Sequence, residues 1–392
     1  MTFDYICSEC GKVYDIRPDL MVCPDCAENQ IEDQPLAGVL EVRLTGEADS
    51  SFDLFDLLPV EKEFFPPSPV GNTPLWEPEN IRKRTGFKNL YIKDDGANPT
   101  SSFKDRASYL VSAFAKKNGI NNIVLASTGN AGSSMAGIGA AAGQKITIFL
   151  PETAPPAKII QALQYGAQVH KVAGNYDLAY DFSMEYSKRA GGMNRNTAFN
   201  PMTIEGKKTV SLELFKQLGT VPDYVFISTG DGCILGGIYK GFEDLKKLGI
   251  IGQIPVIYSV QAEGSDALYR AFHSGKFTNI PTSTVADSIC VDVPRNGSYA
   301  LKKLKTHGGR IIRVSDEQII EAQSDLSASA GLFTEPAGST AWAGFKKAAG
   351  ELEKEALVVI MATGNGLKDT ATALKGVRMP GKSISSIDEI LK

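Results

Sequence analysis

The stretch N-N-I-V-L-A-S-T-G-N-A-G-S-S, residues 121–134, sets a short apolar run against a loop of hydroxyls and glycines. A small-residue helical pattern follows, over 131–142. Short apolar runs bounded by turn residues read as buried strands, and a strand that delivers straight into a helix is the repeating unit of a parallel sheet. The same order recurs along the chain. K-I-T-I-F-L (145–150) is followed by a helical pattern near 158–165 and by A-Q-V-H-K-V (167–172). A second series runs D-Y-V-F-I-S (223–228), a helix over about 235–248, P-V-I-Y-S-V-Q (255–261) and finally A-L-V-V-I-M-A (356–362). Two such series predict an α/β fold of two parallel-sheet domains, with ligands in the cleft between them.

The totals agree with this. A chain of 392 residues is too long for one ordinary core. Its 43% hydrophobic and 22% charged content is globular, so no long disordered stretch is expected. A formal charge of −4 argues against a general nucleic-acid or anionic-membrane surface. No apolar run approaches the roughly 18–20 residues that span a bilayer, and the first residues lack a signal-peptide core, so a cytoplasmic protein is expected. Only His170, His273 and His307 are present, none beside a serine or cysteine motif, which leaves a hydrolase triad little to build on.

Residues 1–35 stand apart. Cys7, Cys10, Cys23 and Cys26 form two C-x2-C hooks twelve residues apart. Four soft thiolates suit zinc, with iron, or a metal-free redox role, as alternatives. With every ligand position filled by cysteine, the ion would be structural. Residues 36–70 read as a connector, rich in proline at F-F-P-P-S-P (64–69), with one strand in L-A-G-V-L-E-V-R-L (36–44) wrapping onto the next domain.

Loops after the strands of a parallel sheet form its binding edge. Three of them are built alike, S-T-G-N-A-G-S-S (127–134), S-T-G-D-G-C-I-L-G-G (228–237) and A-T-G-N-G-L-K-D (362–369). Each exposes backbone N–H groups to an anion. In the middle loop Gly230, Gly232 and Gly236, with Glu263 after the next strand, also fit a dinucleotide site, and a purely structural turn is a third reading.

Lys104 lies in N-P-T-S-S-F-K-D-R-A-S (98–108), just before a good helix at 106–117. The positive end of a helix dipole, and burial in a cleft, both disfavour an ammonium. A neutral lysine can attack an aldehyde carbon. A phosphate loop, such a lysine and few histidines point to pyridoxal phosphate. The plain alternative is a surface lysine paired with Asp105.

From G-N-T-P-L at residue 71 to Lys368, the chain resembles the threonine synthase-like family of fold-type II pyridoxal-phosphate enzymes. The resemblance is carried by N-P-T-S-S-F-K-D-R, A-S-T-G-N-A-G, N-P-M-T-I-E-G-K-K-T, Q-A-E-G, F-T-E-P-A-G-S and A-T-G-N-G-L-K-D. It implies a tryptophan synthase β-like architecture, with a large domain of 71–105 and 206–392 and a smaller mobile domain of 106–205. Lys104 then resembles the lysine bonded to the cofactor as an imine, which also moves the substrate's protons. Asn130 matches the residue beside the cofactor's 3′-oxygen. Gly230, Asp231, Gly232, Cys233 and Ile234 occupy the phosphate loop, and Thr363 matches the hydroxyl facing the pyridine nitrogen. Ser127, Thr128, Asn130 and Ala131 resemble the loop holding the substrate carboxylate. The implied enzyme is a carbon–oxygen lyase acting on a small amino acid, as a homodimer. Its implied reaction converts O-phospho-L-homoserine and water into L-threonine and phosphate. Elimination or replacement on another β- or γ-substituted amino acid is the alternative, and a nicotinamide oxidoreductase a remote one. One departure bears on the substrate. The family's arginine that grips the substrate phosphate is replaced by Thr203, and the Asn-Ser pair upstream by Thr197 and Ala198. Losing that fork removes a contact of about 1.5–3 kcal/mol. Lys207, Lys208, Arg106 and Arg295 are candidates to replace it.

Overall fold

The computed structural model describes the whole chain except residues 155, 382 and 392 and the side chains of 156–158. Its strands are β1 (Thr2–Cys7), β2 (Val13–Tyr14), β3 (Leu40–Thr45), β4 (Leu75–Trp76), β5 (Leu90–Asp94), β6 (Asn122–Ala126), β7 (Lys145–Pro151), β8 (Gln168–Val172), β9 (Met193–Asn194), β10 (Tyr224–Ser228), β11 (Val256–Ala262), β12 (Arg310–Val314) and β13 (Val358–Ala362). They form a three-stranded sheet β2-β1-β3, a six-stranded sheet β12-β11-β10-β13-β5-β4 and a four-stranded sheet β8-β7-β6-β9.

All pairings in the four-stranded sheet are parallel, as are those in the six-stranded sheet except one. The exception is β4, two residues long, which lies antiparallel on β5 at the edge. Every residue of β13 is buried, and β10 is buried beyond its first residue. This is why these strands read as unbroken apolar runs rather than alternating ones. Helices cover them, among them Cys233–Lys247, Pro336–Ala348 and Asn130–Ala142.

The connector strand differs from its expectation. β3 pairs antiparallel with β1 over six residues, so the cysteine-bearing sheet continues to Thr45 rather than ending near residue 35. The physical reason is the edge of β1, whose N–H and C=O groups need a partner. The approach to this strand also touches the body of the protein, where Val39 packs with Ile204, Cys233 and Tyr299.

Much of the interior is charged but paired. The Arg106 guanidinium is fully buried between Asp95 (2.6 Å) and Glu213 (2.6 Å). Lys208 meets Asp244 at 2.9 Å. No helix among the described residues is long and apolar enough to cross a membrane.

Candidate functional site

The C-terminal ends of β5, β10 and β13 converge on one edge of the six-stranded sheet, because the three are parallel neighbours. Beyond β5 the chain runs through N-P-T-S-S-F to Lys104, the first residue of the helix Lys104–Lys117. Its approach is laced to the loop after β13. Phe103 N donates to Thr363 O (2.9 Å), Asn365 N donates to Ser101 O (3.1 Å), and Ser102 bridges Gly364. Ser101 holds φ +67°, a left-handed conformation that a non-glycine residue adopts only under constraint. Asp105 is fully buried and accepts from Thr100 N (2.7 Å) and Thr100 Oγ1 (2.5 Å). It therefore fastens the loop and is not the ion partner of Lys104. Lys104 is half-buried, and its Nζ has no hydrogen-bond partner among the described residues.

After β6, in the four-stranded sheet, Ser127 Oγ accepts from Gly132 N (2.9 Å) and Gly129 N (3.3 Å), closing the loop onto the helix Asn130–Ala142. Thr128 and Ala131 are half-buried beside it. Asn130 Nδ2 donates to both Glu335 oxygens, at 2.8 and 3.0 Å. Glu335 is a site residue that the sequence alone did not single out. It stands in F-T-E-P-A-G-S, directly before the proline that starts the helix Pro336–Ala348. An acid against a helix-starting proline was the available signal. Burial raises the Glu335 carboxyl above the ordinary range, while Asn130, Lys368 and Lys104 pull it back. Lys368 donates to Gln161 Oε1 (2.6 Å), Thr100 O (2.9 Å) and Ser133 Oγ (3.3 Å), tying the loop before Lys104 to the helices of the four-stranded sheet.

Beyond β10, Gly230 and Gly232 fill a cradle that no larger residue could share. A Cβ on Gly230 would lie 2.8 Å from Ile289 Cα, and one on Gly232, at φ +87°, would lie 2.6 Å from Ala300 Cβ. Asp231 Oδ1 accepts from Cys233 N (2.9 Å), so the loop already holds one carboxylate oxygen at a helix N-terminus. Ile234 is buried in the next position. Ser102 Oγ and Ser228 Oγ are buried without partners among the described residues, and Thr363 is nearly buried at the end of β13. A lysine, a glycine loop at a helix N-terminus, the Thr363 hydroxyl and orphaned buried hydroxyls fit a phosphorylated aldehyde cofactor. By contrast Glu263 is exposed, and its backbone N–H is spent on Val314 O (2.9 Å).

Thr203 lies within the helix Met202–Lys207, fully buried, with Oγ1 donating to Asn200 O (2.8 Å). Ala198 is also buried, at φ +67°. Of the four cations considered as replacements, Arg106 and Lys208 are engaged by the carboxylates described above. Arg295 meets Asp177 at 2.8 Å near the surface. Lys207 has no carboxylate partner among the described residues; its Nζ reaches Thr203 O (3.0 Å) and Cys233 Sγ (3.2 Å). A second such cation, Arg195, was not singled out by the sequence.

The four N-terminal cysteines come together, every Sγ within 4.8 Å of the others. Two pairs, Cys7–Cys26 and Cys10–Cys23, stand 3.8 Å apart. A tetrahedron built on metal–sulfur bonds of about 2.3 Å has edges of roughly 3.8 Å. The donor set therefore fits one tetrahedral soft-metal ion.

Comparison with known proteins agrees with this geometry. Residues 67–364 match the family model described as "Pyridoxal-phosphate dependent enzyme". The chain is 34% identical to a threonine synthase of Methanocaldococcus jannaschii, over 96% of this chain and 95% of that protein. It is 37% identical to a threonine synthase of Halalkalibacterium halodurans, over 82% and 92%. In structure it resembles a processed threonine deaminase isoform of Solanum lycopersicum, with a TM-score of 0.69 at 23% identity, over 87% of this chain and 98% of that one. The likeness in fold, the similarity along nearly the whole length and the match across the lysine and glycine loops lead to one conclusion: the chain belongs to the pyridoxal-phosphate-dependent enzymes.

Proposed function

We propose that the chain is a threonine synthase, converting O-phospho-L-homoserine and water into L-threonine and phosphate. The observation that carries the reading is similarity to threonine synthases over 96% of the chain, with Lys104 set at the edge where the Gly230 and Thr363 loops meet. In this reading Gly230 to Ile234 would hold the cofactor's phosphate through backbone N–H groups, Thr363 Oγ1 would serve its ring nitrogen, and Asn130, held by Glu335, would serve its 3′-oxygen. When bound, pyridoxal phosphate supplies an electron sink for charge developing at the substrate's α-carbon. Ser127, Thr128 and the N–H groups through Ala131 orient the substrate carboxylate. Lys104 Nζ takes the α-proton and returns protons at later carbons, so no histidine base is required. Closure of 106–205 over the larger domain excludes water until the addition step.

The four cysteines hold a structural zinc ion in this reading. A homodimer is proposed with it, supported by the exposed apolar side chains Leu374, Val377, Met379, Ile384, Ile387 and Ile390 near the end of the chain. One observation favours a second reading, elimination on an amino acid without phosphate: the Thr203 hydroxyl is spent on Asn200 O. Cofactor-loaded protein given O-phospho-L-homoserine decides between them. Phosphate and threonine in equal amounts support threonine synthase. No phosphate, with 2-oxo acid and ammonia released from serine or threonine, supports the second reading.

A further inference from the structure

Six cationic side chains among the described residues are almost wholly buried: Lys93, Arg106, Arg195, Lys207, Lys208 and Lys240. Four have carboxylates. Arg106 and Lys93 share Glu213, and Lys208 and Lys240 share Asp244. Arg195 and Lys207 have none. Arg195 makes two long contacts, Nη1 to Thr197 Oγ1 (3.3 Å) and Nη2 to Ser108 Oγ (3.4 Å), and its Nε has no partner. Lys207 Nζ meets one carbonyl and the Cys233 sulfur. Burial pulls both groups below their ordinary values; Cys233 and Asp231 oppose this at both, while Arg195 and Lys104 add to it at Lys207. A guanidinium does not shed its proton near neutral pH, and a buried charge without a counter-ion is costly. Asp231 acts on both only from a distance, and no carboxylate among the described residues touches either, so a ligand can supply the contact counter-ion.

Position tells which ligand. Arg195 follows β9, which runs parallel to β6, and its N–H donates to Val124 O (2.8 Å). It lies at the same sheet edge as Ser127–Asn130, next to Thr197. Lys207 sits against Cys233, within electrostatic reach of both Arg195 and Lys104. The pair thus spans the space between the loop after β6 and the loop after β10.

We infer that Arg195 and Lys207 together bind the phosphate of the amino-acid substrate, in place of the arginine absent at position 203. The inference rests on the threonine synthase reading only for which amino acid carries that phosphate. A guanidinium fork beside an ammonium suits a tetrahedral dianion.

The test uses cofactor-loaded wild type and the Arg195→Gln, Lys207→Gln and Lys207→Met variants, with inorganic phosphate and O-phospho-L-homoserine as probes. Inorganic phosphate should raise the Tm of wild type and leave each variant unmoved, with the cofactor absorbance of all four alike. KM for the phosphorylated substrate should rise about 10- to 100-fold in each variant, with kcat changed less. Without phosphate, the variants should be as stable as wild type or more so, because each removes an uncompensated buried charge. A phosphate response that persists in the variants overturns the inference, as does its absence in wild type. Loss of the cofactor from the variants in parallel with the phosphate response also overturns it, since the pair would then serve the cofactor's phosphate. A phosphate response confined to wild type that makes no threonine upholds the subsite and sinks the threonine synthase reading instead.

Discussion

Lys104→Ala removes the amine at the start of the helix that follows β5. Turnover should fall by about 10²–10⁴-fold or more, while the folded protein keeps its Tm and the amino-acid ligand still binds. Steady-state rates beside a ligand titration check this. A pH prediction concerns Glu213. Burial alone would raise its carboxyl, but Arg106, and then Lys93, hold it down at about 2 against an ordinary 4.5. A carboxyl depressed on folding stabilises the protein above its unfolded value and loses that contribution as pH falls through its folded value. Stability on the order of 3 kcal/mol should therefore drain away between about pH 4.5 and pH 2. Denaturant unfolding across that range should show the slope, and Glu213→Gln should flatten it. At this scale Lys104 was singled out by its chemistry and loop pattern, whereas Asn130 and Thr363 were marked only by the family resemblance. Arg195 was illegible because its meaning is a missing partner, and an unpaired charge becomes visible only once the neighbours are in place.

Among the elements, the loop between β10 and its helix is the least tolerant. Gly230→Ala puts a methyl against the Ile289 backbone, which cannot swing aside as a side chain would. About 1–3 kcal/mol of stability should be lost, together with retention of the cofactor, read from Tm and from the absorbance of the purified protein. β6, β7, β10, β11 and β13 were readable because they are largely apolar and buried, whereas β1 and β5 were not singled out. β9 was not, being two residues of which one is asparagine, and neither was β12, which is exposed at its arginine end. β3 was readable as a strand, but its partner was not. Pairing with β1 is decided by an unfilled edge that no local pattern records.

For the whole molecule, the cysteine-bearing sheet is stitched to the body through partly buried polar contacts. Tyr299 donates to Glu41 at 2.6 Å, and Lys303 reaches the same carboxylate at 3.0 Å. Removing the metal with a chelator, or Cys10→Ser, should release about one zinc per chain and lower Tm, measured by metal analysis and thermal unfolding. The order of the six-stranded sheet has a consequence for how the chain is made. β13, formed by residues 358–362, lies between β10 and β5, and those two strands do not pair with each other. A ribosome must deliver residues through 362 before the centre of the sheet can close. Lys104 and the glycine loop are synthesised early, yet they hang from strands that stay apart until the last insertion. Contacts so distant in sequence form slowly, and nascent chains carrying unpaired β5 and β10 edges are natural clients for chaperones. Catalytic competence should therefore appear in one late step, not by increments as the polypeptide lengthens.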